Sequence, residues 1–178
     1  MNKKLKWICV TAIGIALFVA LTLCLQVPVF ENYYLCLGYI VMAVWLYCFG
    51  TLSGTLAGSV GVVLYCLLTS GMRGMPGWAV GNAAIGLLLG LTFRFTRPMK
   101  STALKAAINA AAVIIATAVG ILGVKSLVDS LIRAEPFLLR AAKNVYAFIA
   151  DAVVLLVGLP VCMSLYKTAK KLLPEAAK

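Results

Sequence analysis

The sequence predicts an all-α integral membrane protein: a compact bundle of six transmembrane helices, one domain over residues 1–178, with both termini in the cytoplasm. Three observations carry this. First, 63% of the residues are hydrophobic and 12% charged, with a mean hydropathy of +1.05, so a soluble fold would lack the polar surface to cover its core. Second, apolar segments recur near 7–25, 35–49, 52–70, 78–93, 103–124 and 137–165. Each approaches the ~20 residues that a helix needs to cross a bilayer, the second and fourth being short. Third, if every segment crosses, eleven of the sixteen Lys and Arg residues fall on one side: Lys3, Lys4, Lys6, Arg94, Arg97, Lys100, Lys105, Lys167, Lys170, Lys171 and Lys178. Basic loops stay in the cytoplasm. The net charge of +11 is then a topology signal and an affinity for anionic lipid headgroups. Nucleic-acid binding is set aside, since no soluble basic domain exists to perform it.

The first segment has the basic start of a signal peptide. Its apolar run is too long for one, and Leu23-Cys24-Leu25-Gln26-Val27-Pro28 offers no small-residue cleavage pattern. It is read as a retained helix. Ala12, Ala16 and Ala20 are spaced by four, which stacks them on one helix face. Such a flat stripe lets a second helix approach closely in lipid, whether inside the chain or outside it. The loop that follows, 26–34, holds Glu31, Tyr33 and Tyr34.

Gly50, Gly54 and Gly58, then Gly61, line the third segment, and Gly86 and Gly90 repeat the spacing in the fourth. These are close-packing faces and can supply the bundle's internal contacts without the alanine stripe. The second outer loop, 70–78, carries Arg73 and ends at Trp78. Trp78 and Asn82 share a helix face. An interfacial aromatic belt accounts for Tyr33, Tyr34 and Trp78 taken singly; grouped with Glu31 and Arg73 they also suit a wall that stacks on a flat ligand.

In the fifth segment Asn109 suits an interhelical hydrogen bond. Asp129 and Glu135, in the loop beyond it, are expected to balance Arg133. On the last helix Arg140, Lys143, Asn144 and Asp151 fall at offsets of zero, three, four and eleven, one stripe descending from the outer headgroup level. Arg140 and Lys143 could simply snorkel to phosphates. Asp151 is harder to dismiss, because an ionisable group at that depth costs ~3 kcal/mol or more and usually faces a bundle interior or cavity.

The six cysteines, at 9, 24, 36, 48, 66 and 162, are scattered and form no C-x-x-C, and the chain has no histidine. Metal ligation would need clustered ligands, so no metal and no cofactor is expected, and the cysteines read as small apolar residues. Missing histidine excludes Ser–His–Asp and Cys–His chemistry. No G-x-x-x-x-G-K-[ST] loop is present, so ATP hydrolysis would need partners.

The alanine motif, the aromatic outer loop, Leu37-Gly38-Tyr39-Ile40, the block from Phe49 to Gly58, and Pro76-Gly77-Trp78-Ala79-Val80-Gly81-Asn82-Ala83-Ala84-Ile85-Gly86 together resemble the substrate-binding S component of an energy-coupling factor (ECF) vitamin transporter. The resemblance covers nearly the whole chain. It implies a multi-pass protein of a prokaryotic plasma membrane that captures a micronutrient from outside, near the outer ends of helices four to six and under the loops after helices one and three. It further implies docking, through Ala12, Ala16 and Ala20, on a membrane coupling (T) protein shared with two cytoplasmic ATPases, and toppling of the S component in the membrane. The binding candidates are Tyr33, Tyr34, Arg73, Trp78, Asn82, Arg140, Asn144 and Asp151.

Arg73, Lys125, Arg140 and Lys143 outnumber the acids on the outer side, and such donors would hold a carboxylate or phosphate. A small polar heterocycle, with or without an acidic group, is therefore the expected ligand; riboflavin, folate, pantothenate and queuosine-type compounds all meet that description. A lipid-processing enzyme would need an acidic or histidine cluster that five dispersed acids do not supply. A structural or regulatory membrane subunit without its own ligand is the alternative reading.

Overall fold

A stretch that is apolar all round must be buried on every side or face lipid, and this chain uses both solutions. The computed structural model describes residues 2–30, 33–69, 71 and 74–172. Seven helices, α1 (Lys3–Cys24), α2 (Gly38–Phe49), α3 (Thr51–Leu68), α4 (Met75–Thr96), α5 (Thr102–Thr117), α6 (Ser126–Arg133) and α7 (Phe137–Leu172), follow one another, with a π-helical segment, Ala118–Lys125, joining α5 to α6. Five rods are long and apolar enough to cross a bilayer: α1, α3, α4, the continuous stretch Thr102–Arg133, and α7; α2 is a shorter apolar helix.

At 12 residues, α2 spans only about 18 Å. It lies inside the bundle, with nine residues buried from Gly38 to Cys48, and packs on α1, α3, α4 and α7. Gly54 and Gly58 make that possible. A β-carbon on Gly54 would sit 2.4 Å from the Leu46 backbone nitrogen, and one on Gly58 would sit 2.4 Å from the Met42 sulfur. Gly61 admits Phe18 of α1, and Gly86 and Gly90 of α4 rest on Thr55 and Thr51 of α3. Gly50 belongs elsewhere than in the stripe: with φ 102° it turns the chain between α2 and α3, a conformation that favours glycine.

Polar side chains tie the rods together where lipid offers no alternative partner. Thr11 and Ser53 share a hydrogen bond of 2.8 Å between α1 and α3, and the Trp45 indole donates to the Val10 carbonyl at 2.8 Å. Thr96 donates to Asn109 at 2.7 Å, the interhelical contact expected of that asparagine. Arg97, at the end of α4, donates to the Leu46 carbonyl at 2.7 Å. Its guanidinium lies 5.7 Å from the Tyr47 ring centre and 5.8 Å from that of Tyr166, within cation–π range.

The fifth rod runs on to Arg133, past the limit near 124 that hydropathy suggests. The reason is an inverted amphipathic helix: Ser126 and Asp129 are buried while Leu127, Leu131 and Ile132 are exposed, so polar residues signal the interior rather than a loop. Between α1 and α2 stands a hairpin instead of a plain loop. Strands β1 (Gln26–Phe30) and β2 (Tyr33–Cys36) pair antiparallel with Gln26 opposite Cys36, and β2 lies along α7. The 36 residues of α7 extend about 54 Å, beyond the end expected near 165, and carry Lys167, Lys170 and Lys171 past the bundle.

The glycine contacts set a test. Gly54→Ala should cost ~1–3 kcal/mol in thermal unfolding of the detergent-solubilised protein, since backbone must shift. Gly123→Ala, where an added β-carbon meets nothing within 4 Å, should stay within about 0.5 kcal/mol.

Candidate functional site

Tyr39, on the buried helix α2, has no solvent exposure, and a hydroxyl so placed must find partners. The Trp78 indole Nε1 donates to it at 2.7 Å. The hydroxyl in turn donates to Asn82 Oδ1 at 2.8 Å, and Asn82 Nδ2 donates to the Gly58 carbonyl of α3 at 3.2 Å. Trp78 and Asn82, one turn apart on α4, thus both point inward. The Trp78 ring also meets Tyr65 edge-on at 5.6 Å and 78°.

Three residues of the α7 stripe are buried as well. Asp151, 5% exposed, is buried within the bundle. Asn144, about two turns earlier on α7, donates to Ser126 Oγ at 2.9 Å and accepts from Lys125 Nζ. Arg140 is buried and forms an ion pair of 3.1 Å with Glu135. Lys143 departs from the stripe: it is exposed and reaches Glu135 at 3.3 Å.

Lys125 and Asp129 form an i,i+4 pair of 3.2 Å, nearly closed to solvent. The second oxygen, Asp129 Oδ1, is buried against Gly77 in the first turn of α4 and accepts no hydrogen bond among the described residues. The acids therefore serve other partners than the Arg133 expected from their position: Asp129 holds Lys125, and Glu135 holds Arg140 and Lys143. The cations read as an anion cradle are correspondingly engaged. Lys125 and Arg140 each meet a carboxylate at ion-pair distance.

Local geometry explains how residues so far apart in sequence converge. Ile121 and Ser126 are successive inward positions on the fifth rod, and Ser126 Oγ donates to the Ile121 carbonyl at 3.0 Å. Five residues separate them, the spacing of a π turn, a feature frequent at functional sites. Gly81 and Gly120 let α4 and the π segment touch: a β-carbon on Gly81 would lie 2.9 Å from the Gly120 carbonyl oxygen.

Of the sequence-predicted residues, Trp78, Asn82, Arg140, Asn144 and Asp151 are brought to one end of the bundle. Tyr33 and Tyr34 are placed by their backbone in β2, opposite Phe30 and Pro28. Arg73 lies outside the described residues. Tyr39 and Ser126 are members that sequence reasoning missed, while Lys125 was read as one of several anion donors and Asp129 as a balance for Arg133. The Lys125–Asp129 spacing was a readable signal, because i,i+4 opposite charges pair on a helix. Tyr39 carried none, since an aromatic in an apolar run looks like core. Ala12, Ala16 and Ala20 are all exposed, on the face of α1 opposite its buried Val10, Thr11, Gly14 and Phe18.

Chemically, the cluster offers amide, hydroxyl, indole and carboxyl groups for hydrogen bonding, with its ammonium and guanidinium groups locally neutralised. In comparison with known proteins, the sequence model of the family described as ECF-type riboflavin transporter, S component, matches residues 2–168. No curated protein matches at a significant level.

Tyr39→Phe tests the cluster's cohesion. Loss of one hydroxyl strands the Trp78 N–H and the Asn82 carbonyl, and should cost about 1–2 kcal/mol in thermal unfolding, with a shift in tryptophan emission.

Proposed function

The chain belongs to the family of ECF-type riboflavin transporter S components, and on that premise we propose that it captures riboflavin or a close flavin from outside the cell, in the cluster around Tyr39, Trp78, Asn82, Asn144 and Asp151. The family makes it a substrate-binding subunit of a vitamin transporter and not an enzyme. The observation that carries the ligand assignment is the convergence of these buried polar groups at one end of the bundle, in a chain matched over nearly its whole length.

Flavin chemistry suits the donor set. The isoalloxazine ring is flat and carries adjacent N–H and carbonyl groups that amides and a carboxyl can answer, and its sugar-alcohol chain carries uncharged hydroxyls. A neutral ligand needs no free cation, which agrees with the pairing of Lys125 and Arg140. Tyr33, Tyr34 and Arg73 are further candidates for ligand contact, as the resemblance implies. Inward delivery follows when the exposed Ala12-Ala16-Ala20 face meets a membrane coupling protein driven by two ATPases, the S component toppling in the bilayer. With the basic end of the bundle in the cytoplasm, both termini are inside and the cluster opens outward.

Titration of the purified protein in lipid nanodiscs with riboflavin should quench flavin fluorescence to saturation, and absence of saturable quenching counts against the flavin assignment. Asp151→Ala should weaken binding at least about tenfold, equivalent to ~1.4 kcal/mol, while the protein remains folded. Ala16→Trp should leave that binding within about twofold and abolish riboflavin uptake by cells that hold the coupling protein and ATPases. Retained uptake would remove the alanine face from the docking role.

A further inference from the structure

Resting on the flavin reading above, we infer that Asp129 makes this site select uncharged flavins over phosphorylated ones, by occupying the ammonium group of Lys125. Two of the three ammonium donors are taken by protein: Asp129 Oδ2 at 3.2 Å and Asn144 Oδ1. Lys125 is thus the cation bonded directly into the polar cluster, through Asn144 and onward to Ser126.

The pair is seated by deleted side chains on the facing helix. Gly77 leaves the space that the Asp129 carboxylate fills, and Gly81 leaves room for the Lys125 stem, whose β-carbon lies 3.1 Å from where one on Gly81 would stand. Asp129 itself is 4% exposed. Stability does not explain such an arrangement, because desolvation of a buried pair offsets most of its attraction and apolar residues of similar size serve as well or better. Selectivity does explain it. Lys125 alone would be an unpaired buried cation, an attractive place for a phosphate. With Asp129 beside it, an incoming phosphate of charge about −1.5 to −2 meets a fixed carboxylate where solvent does little to screen the repulsion, and like charges so juxtaposed are strongly disfavoured. A neutral flavin can use the Lys125–Asn144 edge for hydrogen bonding without that penalty. Arg140, also buried, is held in the same way by Glu135.

The test is a ratio of affinities. Riboflavin and its 5′-phosphate are each titrated by flavin fluorescence quenching against the wild-type protein in nanodiscs, then against Asp129→Asn, Lys125→Gln and the double variant. The wild type should favour riboflavin by at least about tenfold. Asp129→Asn should move the ratio at least about tenfold toward the phosphate ester, with a dependence on salt that the wild type lacks. Lys125→Gln, which leaves the carboxylate alone, should move it further toward riboflavin, and so carries the test if Asp129→Asn does not fold. The double variant should return close to the wild-type ratio. A purely structural pair would weaken both ligands alike, so an unmoved ratio in a folded single variant overturns the inference. Wild-type protein that binds neither flavin would instead overturn the flavin reading itself.

Discussion

The fold is organised around one buried hydroxyl. Helix α2 is shorter than the five long rods and too apolar to meet water, so the bundle encloses it, and enclosure leaves the Tyr39 hydroxyl with no solvent at all. An unpaired hydroxyl in such surroundings is costly. Trp78 and Asn82 of α4 resolve that cost. Two helices are thereby oriented by one polar atom, and α3 is added through the Asn82 amide and the Gly58 carbonyl. The glycines of α3 belong to the same constraint, since only a surface without side chains lets α2 sit close enough.

Lipid inverts the ordinary logic of side-chain placement. The outer faces of the rods carry Leu, Ile and Val, while threonine, asparagine and charged side chains turn inward and pair. α6 is the plainest case, with Asp129 and Ser126 inside and Leu131 outside. At the opposite end of the bundle Arg97 plays a related part, held by a carbonyl and beside two tyrosine rings. Aromatic faces and a carbonyl suit a guanidinium there because they stabilise the charge without introducing a counter-ion.

The proposed binding and docking roles fall on separate surfaces. The polar cluster draws on α2, α4, α6 and α7, whereas the alanine face lies on α1 and points away from the bundle. α1 reaches the interior through other residues, Thr11, Gly14 and Phe18, so its outer face is free to change neighbours without disturbing them. On the function proposed above, that division lets the chain hold a vitamin in one place and meet a coupling partner in another.

Much of this was legible in the residues themselves. Composition alone placed the chain in a bilayer, and a spacing of four revealed the glycine contacts, the alanine face and the pairing of Trp78 with Asn82, because helical period converts sequence distance directly into direction. The same period brought Arg140, Asn144 and Asp151 to one face of α7. It misjudged Lys143, one residue from that face and turned out to Glu135, and it ended the fifth rod at the first charges. What only the tertiary structure decided is which polar groups meet. The π segment shifts the register by which Lys125, Ser126 and Asp129 turn inward, and Tyr39 gains its role from neighbours contributed by two other helices. Direction along one helix is a local property written in spacing. The pairing of buried polar groups across helices depends on the register and closeness of separate rods, set by their packing together.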